Sequence, residues 1–457
     1  MVQLVRRFAV LVVTILALAH PSASAQGWKA GAAKQKITPR EPIWMAGYGG
    51  RDHPATGFLN DLYAKALVLE DERGTRVAIV TLDLVGISPD LAGPITAELQ
   101  SKYKLPRSHV ALCCSHTHSG PVVGYNLRTL HFDQIDDVQK QRIARYADEL
   151  SKAIVEVVGQ ALQSLAPCEI SFGQGTATFA VNRRNNKEAD VPRLREAGEL
   201  VGPFDHEVSV LQVLDAAGKL KAVLFGYACH ATVLDGFDWS SDYPGFAQSE
   251  LEACHPDSTA LFFAGCGADQ NPLPRSKVEL ARQYGRDLAA AVETALKENL
   301  EPLTGDLAVG WTQIPLELAQ RPTPDEIEKD AQSSDRFVAA RARLFRDRLN
   351  AGELLPATYP YPVQVWRLGD TLTFVALGGE VVVDYALRIK QELGNGHTWV
   401  AGYSNDVMAY IPSRRVLAEG GYEGRDAMVY YSLPSPWAPT VEAAIIDAVH
   451  ATIPKAP

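Results

Sequence analysis

Apolar residues along this chain fall into two interleaved rhythms. Short runs from Arg76 to Leu82, Val110 to Cys114, Ala222 to Ala228, Ala260 to Ala264 and Leu372 to Leu377 show little polar alternation and predict strands buried on both faces. Between them, Gln139 to Leu165, Lys277 to Leu300 and Val381 to Leu393 repeat their apolar positions every three or four residues, the period of an amphipathic helix. This interleaving predicts an α/β class in which helices cover sheet faces. The charged stretch from Pro322 to Leu349, followed by Gly352 and the Pro-rich Pro356 to Pro362, predicts an exposed helix and linker inserted into one large domain.

The first 25 residues follow a different logic. Arg6 and Arg7 precede an apolar run from Phe8 to Ala19 that ends near Ala23-Ser24-Ala25, the layout of a secretory signal peptide cleaved after Ala25. A run of about a dozen residues is too short to span a bilayer, which takes roughly 20. The mature chain, residues 26–457, is therefore expected to be secreted or periplasmic, without a transmembrane anchor. Removing two arginines and no acids takes the formal charge from -10 to -12. That acidic excess argues against nucleic acid as a partner and leaves neutral or apolar substrates open. The six cysteines form no CxxC pair, so a Cys-rich zinc module is not expected. Most read as small buried residues, with one permitted bridge, Cys254 to Cys266.

The chemistry concentrates where predicted strands end. Ser115-His116-Thr117-His118-Ser119-Gly120-Pro121 follows the run ending at Cys114. Strand alternation would put His116 and His118 on one face. Two converging imidazoles need a metal or hydrogen-bond partners to be tolerated in a dry core. His230 also follows an apolar strand, and Glu380 closes Leu377-Gly378-Gly379-Glu380 before a helix. Each has a bland reading, a satisfied core histidine or a carboxylate at a helix N-terminus. Together they suit one zinc ion, which accepts imidazole nitrogen and carboxylate oxygen. There is no GxSxG elbow, HExxH, P-loop or GxGxxG after a strand to support another chemistry.

These residues, with Ile37-Thr38-Pro39, Met45-Ala46-Gly47-Tyr48, Val181-Asn182-Arg183 and the segment Tyr403 to Gly424, make the chain resemble the catalytic domain of the neutral/alkaline, non-lysosomal ceramidases. The hexapeptide His116 to Pro121 is the most specific part. The resemblance implies stacked β-sheets sandwiched by α-helices in a single catalytic domain. It implies one Zn2+ per chain held by His116, His230, Glu380 and Tyr410, with His118 beside the metal as proton donor or oxyanion partner and Tyr422, twelve residues beyond Tyr410, on the oxyanion. Arg183 would bind or orient substrate.

Two departures weaken the substrate assignment. The C-terminal immunoglobulin-like domain of long-chain ceramidases is not expected, because the chain ends soon after a helix near Val441 to Val449. The family's Gly-Asp-Val-Ser-Pro-Asn element is replaced by Gly265-Cys266-Gly267-Ala268-Asp269-Gln270-Asn271-Pro272, where Asp269 and Asn271 are expected to shape the pocket rim. The expected activity is zinc-dependent hydrolysis of an N-acyl amide, ceramide being the named substrate. A different amide, lactone or ester, and a non-catalytic periplasmic binding protein on the same fold, are the alternatives. Oligomeric state is not readable from these features.

Overall fold

The computed structural model describes residues 27–298 and 300–455; the signal-like segment 1–25 lies outside them. Eight strands follow one another across a large mixed sheet: Thr259–Ala264, Leu220–Tyr227, Glu207–Asp215, Ala166–Thr176, Lys29–Lys36, Tyr63–Glu70, Arg76–Leu82 and Val110–Cys114, with Glu301–Pro302 pairing to Ala166–Thr176 on the side. A second sheet has the order Leu307–Glu317, Thr358–Leu368, Leu372–Leu377 and Thr398–Ala401.

The strand sequences explain the layering. Along Tyr63–Glu70, Ala64, Ala66 and Val68 pack under helices, while Leu67 and Leu69 point at the other sheet. Arg76–Leu82 divides the same way, with Ala78, Val80 and Leu82 on one side and Val77 and Ile79 on the other. A strand apolar on both faces has to be covered on both faces. The helices Pro89–Tyr103, Asp137–Gln163, Asp242–Cys254 and Val278–Lys297 cover the outer face of the large sheet. Its inner face meets the second sheet through Phe263, Trp366, Phe374 and Trp399. Val383–Leu393 and Val441–Thr452 close the far side. The result is a helix, sheet, sheet, helix stack of the expected α/β class.

The large sheet curls until its two terminal strands, Thr259–Ala264 and Val110–Cys114, come back into contact. Bridges Cys113 to Ser404 and Gly265 to Ala401 stitch both to the second sheet. Loops leaving these strands therefore meet although far apart in sequence.

Two expectations need correction. Cys254 is exposed at the end of its helix and Cys266 is buried beyond the next strand; both are free thiols, so the permitted bridge is absent. The charged insertion is two helices, Pro324–Ala331 and Arg336–Asn350, because each has its own start signal. Thr323 and Glu326 form a capping box for the first, and Asp335 caps the second. The pair also packs inward: Ile327, Ala342, Phe345 and Leu355 share a small core, and the Phe337 ring lies 5.3 Å from that of Tyr430. Among the described residues no helix is long and apolar enough to cross a membrane.

Trp399 is fully buried between the sheets. Trp399→Ala is expected to cost about 3–5 kcal/mol, read as a lower denaturation midpoint in urea.

Candidate active site

His116 and His118 do not converge through strand alternation, as the sequence pattern implied. The strand ends at Cys114, and His116 takes a left-handed backbone with φ 60°. This turn is held by Ser115 N–H donating to Leu82 O and His116 N–H donating to Leu84 O. His118 N–H donates to Ala231 O, joining the loop to the one that carries His230. His116 Nδ1 lies 2.5 Å from Val85 O, and His230 Nδ1 lies 2.8 Å from Gly267 O. Carbonyl oxygens only accept, so each Nδ1 carries the hydrogen and each Nε2 is left with its lone pair.

Both lone pairs face one carboxylate. Glu380 Oε2 is 3.2 Å from His116 Nε2 and 3.2 Å from His230 Nε2. Glu380 sits in a two-residue strand paired in parallel with Tyr410–Ile411, ahead of the helix that begins at Val383. Gly379 makes this register possible: its φ is +78°, and a Cβ there would meet Ala409 O at 2.7 Å. Glu380 is 3% exposed, and Oε2 has no hydrogen-bond donor. Burial, aided by Arg183, lowers His230 to about 4, so its imidazole is neutral. Two imidazole nitrogens and a carboxylate oxygen thus converge on one point.

His118 Nε2 stands 3.0 Å from His116 Nε2, and the ligand atoms of His116, His118 and His230 all lie within 4.8 Å of one another. His118 differs from the other two in leaving Nδ1 without a partner and in lining an open cavity of 590 Å3. Tyr410 Oη is 3.3 Å from His230 Nε2 and accepts from Arg183 Nη2 at 3.1 Å. The donors present, imidazole nitrogen, carboxylate oxygen and phenol oxygen, with an undonated carboxylate oxygen among them, fit a divalent metal ion.

Around this cluster Arg183 acts as a hub. It donates to Glu423 at 2.7 Å, Asn271 at 3.2 Å and Tyr410, and its guanidinium lies 5.7 Å from the ring centres of both Tyr410 and Tyr422. Tyr422 is 45% exposed in the cavity, its ring 5.3 Å from that of Tyr410. Asn271 lines the cavity. Asp269 does not: it is fully buried and accepts from Val383 N–H at 2.8 Å and Asn182 Nδ2 at 3.0 Å, tying the Glu380 segment to that of Arg183. The sequence reading missed Glu423, Tyr403 and Tyr431. Tyr431 donates to Glu380 Oε1, and the buried Tyr403 ring lies 4.3 Å from that of His116. The only linear signal was their place in the tyrosine-rich segment after Gly402.

A buried imidazole and carboxylate cluster opening to a cavity beside an arginine and two tyrosines defines a hydrolytic site of metal-compatible type. The sequence profile described as "Neutral/alkaline non-lysosomal ceramidase, N-terminal" matches residues 28–341, and the chain belongs to that family of amide hydrolases. It is 26% identical over 507 residues to the neutral ceramidase of Pseudomonas aeruginosa, covering 93% of this chain and 72% of that one. It is 25% identical over 234 residues to the neutral ceramidase of Drosophila melanogaster, an alignment spanning 49% of this chain and 32% of the fly protein. The crystal structure of the Pseudomonas enzyme superposes with a TM-score of 0.72 at 20% identity, covering 94% of this chain and 76% of that one. A ceramidase complexed with C2 gives 0.70 at 18% identity, covering 94% and 77%. These superpositions are likenesses of fold.

Two outcomes follow from the loops around the cluster. Gly47 has φ +98°, and a Cβ there would lie 2.4 Å from Cγ of His118. Gly47→Ala is expected to displace that imidazole and lower kcat/KM by at least about tenfold, equivalent to 1.4 kcal/mol, as steady-state kinetics would show. Asp406, whose carbonyl accepts from Gly379 N–H, has its carboxyl pushed by burial from 3.8 to about 7. Because the folded state holds that proton to higher pH than the unfolded chain, stability is intact below about 4 and declines as pH rises to about 7. Asp406→Asn should therefore match the wild type near pH 4 and exceed it by on the order of 2–4 kcal/mol at pH 8 in denaturant titrations.

Proposed function

We propose that the chain is a zinc-dependent hydrolase of N-acyl amides of the ceramide type. The observation that carries this is the meeting of His116 Nε2, His230 Nε2 and Glu380 Oε2 at 3.2 Å, buried behind a cavity lined by His118, Tyr410 and Tyr422. His116, His230, Glu380 and Tyr410 would hold one zinc ion. The first two are preferred to His118 because backbone carbonyls fix their rings and direct their Nε2 atoms inward. Zinc in such a donor set supplies Lewis acidity, polarising a carbonyl and making water nucleophilic near neutral pH.

The chain's own side chains supply the rest. His118 lines the cavity, and burial holds its imidazole well below the ordinary range, so a proton it takes up during the reaction is readily passed to the leaving amine, which departs slowly as an anion. Tyr422 lines the same cavity, where its hydroxyl would donate to the oxygen of a tetrahedral intermediate. Arg183, held on Glu423 and Asn271, fixes the Tyr410 hydroxyl and faces the Tyr422 ring. The names of the curated relatives favour ceramide over other amides, lactones and esters. The activity would reside in one domain, residues 26–457, and the signal-like residues 1–25 favour action outside the cytoplasm.

Metal content by mass spectrometry, with release of fatty acid from a short-chain fluorescent ceramide, tests the proposal. About one zinc per wild-type chain and loss of both zinc and turnover in His116→Ala are expected. Zinc without turnover of ceramide would move the substrate to another amide or ester, and protein free of zinc in zinc-replete medium would overturn the mechanism.

A further inference from the structure

We infer that Tyr431 is a positioning residue that sets metal affinity by fixing the Glu380 carboxylate, and that the helical insertion Arg336–Asn350 supports it from outside the cavity. The inference rests on the metal reading above.

Glu380 has two oxygens with different surroundings. Oε1 accepts from Tyr431, while Oε2 is left facing His116 and His230. The phenol therefore occupies one oxygen and prevents the carboxylate from turning it inward. Glu380 then presents a single oxygen to the cluster, with its rotation already restricted. A ligand oriented in advance binds without the loss of freedom that a rotating carboxylate incurs.

Tyr431 approaches from the side away from the catalytic cavity. It belongs to the short 3-10 helix Asp426–Tyr431, and it lines a separate cavity of 300 Å3 with Met408, Tyr359 and Leu344. Ser432, the next residue, adopts φ 60°, and its hydroxyl lies 2.5 Å from Thr129 Oγ1. Tyr430 packs its ring on Phe337 of the insertion. Phe337, Tyr430 and Tyr431 all lie against a small core that includes Val85, Val122, Leu127 and Ile143. Val85 is also the residue whose carbonyl fixes His116 Nδ1. One side core thus braces two of the proposed ligands, His116 through a backbone carbonyl and Glu380 through a phenol.

Zinc affinity measured by chelator competition, together with the visible spectrum of the cobalt(II)-loaded protein, tests the inference on wild type, Tyr431→Phe and Phe337→Ala. Tyr431→Phe keeps the ring and removes the hydroxyl. Its zinc Kd should rise about 10- to 100-fold and its cobalt bands should shift, the metal-free protein remaining folded with a thermal midpoint lowered only by the loss of one donor to a buried carboxylate. Phe337→Ala, which leaves the hydroxyl but loosens its support, should give a smaller rise in Kd, and this variant carries the test if Tyr431→Phe does not fold. Wild-type affinity and spectrum in the variants would overturn the inference while leaving the zinc reading intact. A wild type that binds neither ion would overturn both.

Discussion

The structure depends on an arrangement that is unfavourable without a cation: two imidazole lone pairs and a carboxylate oxygen facing one another out of contact with solvent. Each Nδ1 is already committed to a backbone carbonyl, so no tautomer can place a hydrogen between Nε2 and Glu380 without charging an imidazole in a buried setting. Burial of an uncompensated carboxylate costs several kcal/mol, and groups of this kind persist where a metal ion or a function holds them. The surrounding residues keep the three atoms together. Asp269 ties the Glu380 segment to that of Arg183, and Gly379 lets Glu380 pair beside Tyr410.

The fold brings these segments together by curvature. His116, His230, Glu380 and Tyr410 all lie in loops or short bridges beyond strand ends, and they meet because the terminal strands of the large sheet come back into contact and the second sheet is bridged to both. The cores beneath are conventional aliphatic and aromatic packing. They leave the loops few alternative positions, and the backbone bonds from Ser115, His116 and His118 to neighbouring loops take up the rest of the freedom.

Much of this was legible in the linear pattern. The runs Arg76–Leu82, Val110–Cys114 and Leu372–Leu377 are strands with those bounds, because apolar side chains on both faces admit little else. The helix expected from Gln139 begins two residues earlier, where Asp136 caps it by accepting from Gln139 N–H. The histidines and Glu380 stood out by their position after apolar strands. How they converge was not legible: alternation along a strand was the wrong mechanism for His116 and His118, since a left-handed turn is not encoded by a residue type that favours it. Tyr431 and Glu423 were invisible because their roles depend on partners 51 and 240 residues away. The insertion read as solvent-exposed because its charges dominate its composition, whereas the few residues that matter, Ile327, Phe337 and Phe345, are scattered among them.

X-ray absorption fine structure at the zinc edge of the purified protein tests the central claim most directly. The account predicts only nitrogen and oxygen neighbours at about 2.0–2.2 Å, with the outer-shell scattering of two imidazoles. A sulfur neighbour near 2.3 Å, or a shell without imidazole scattering, would contradict it.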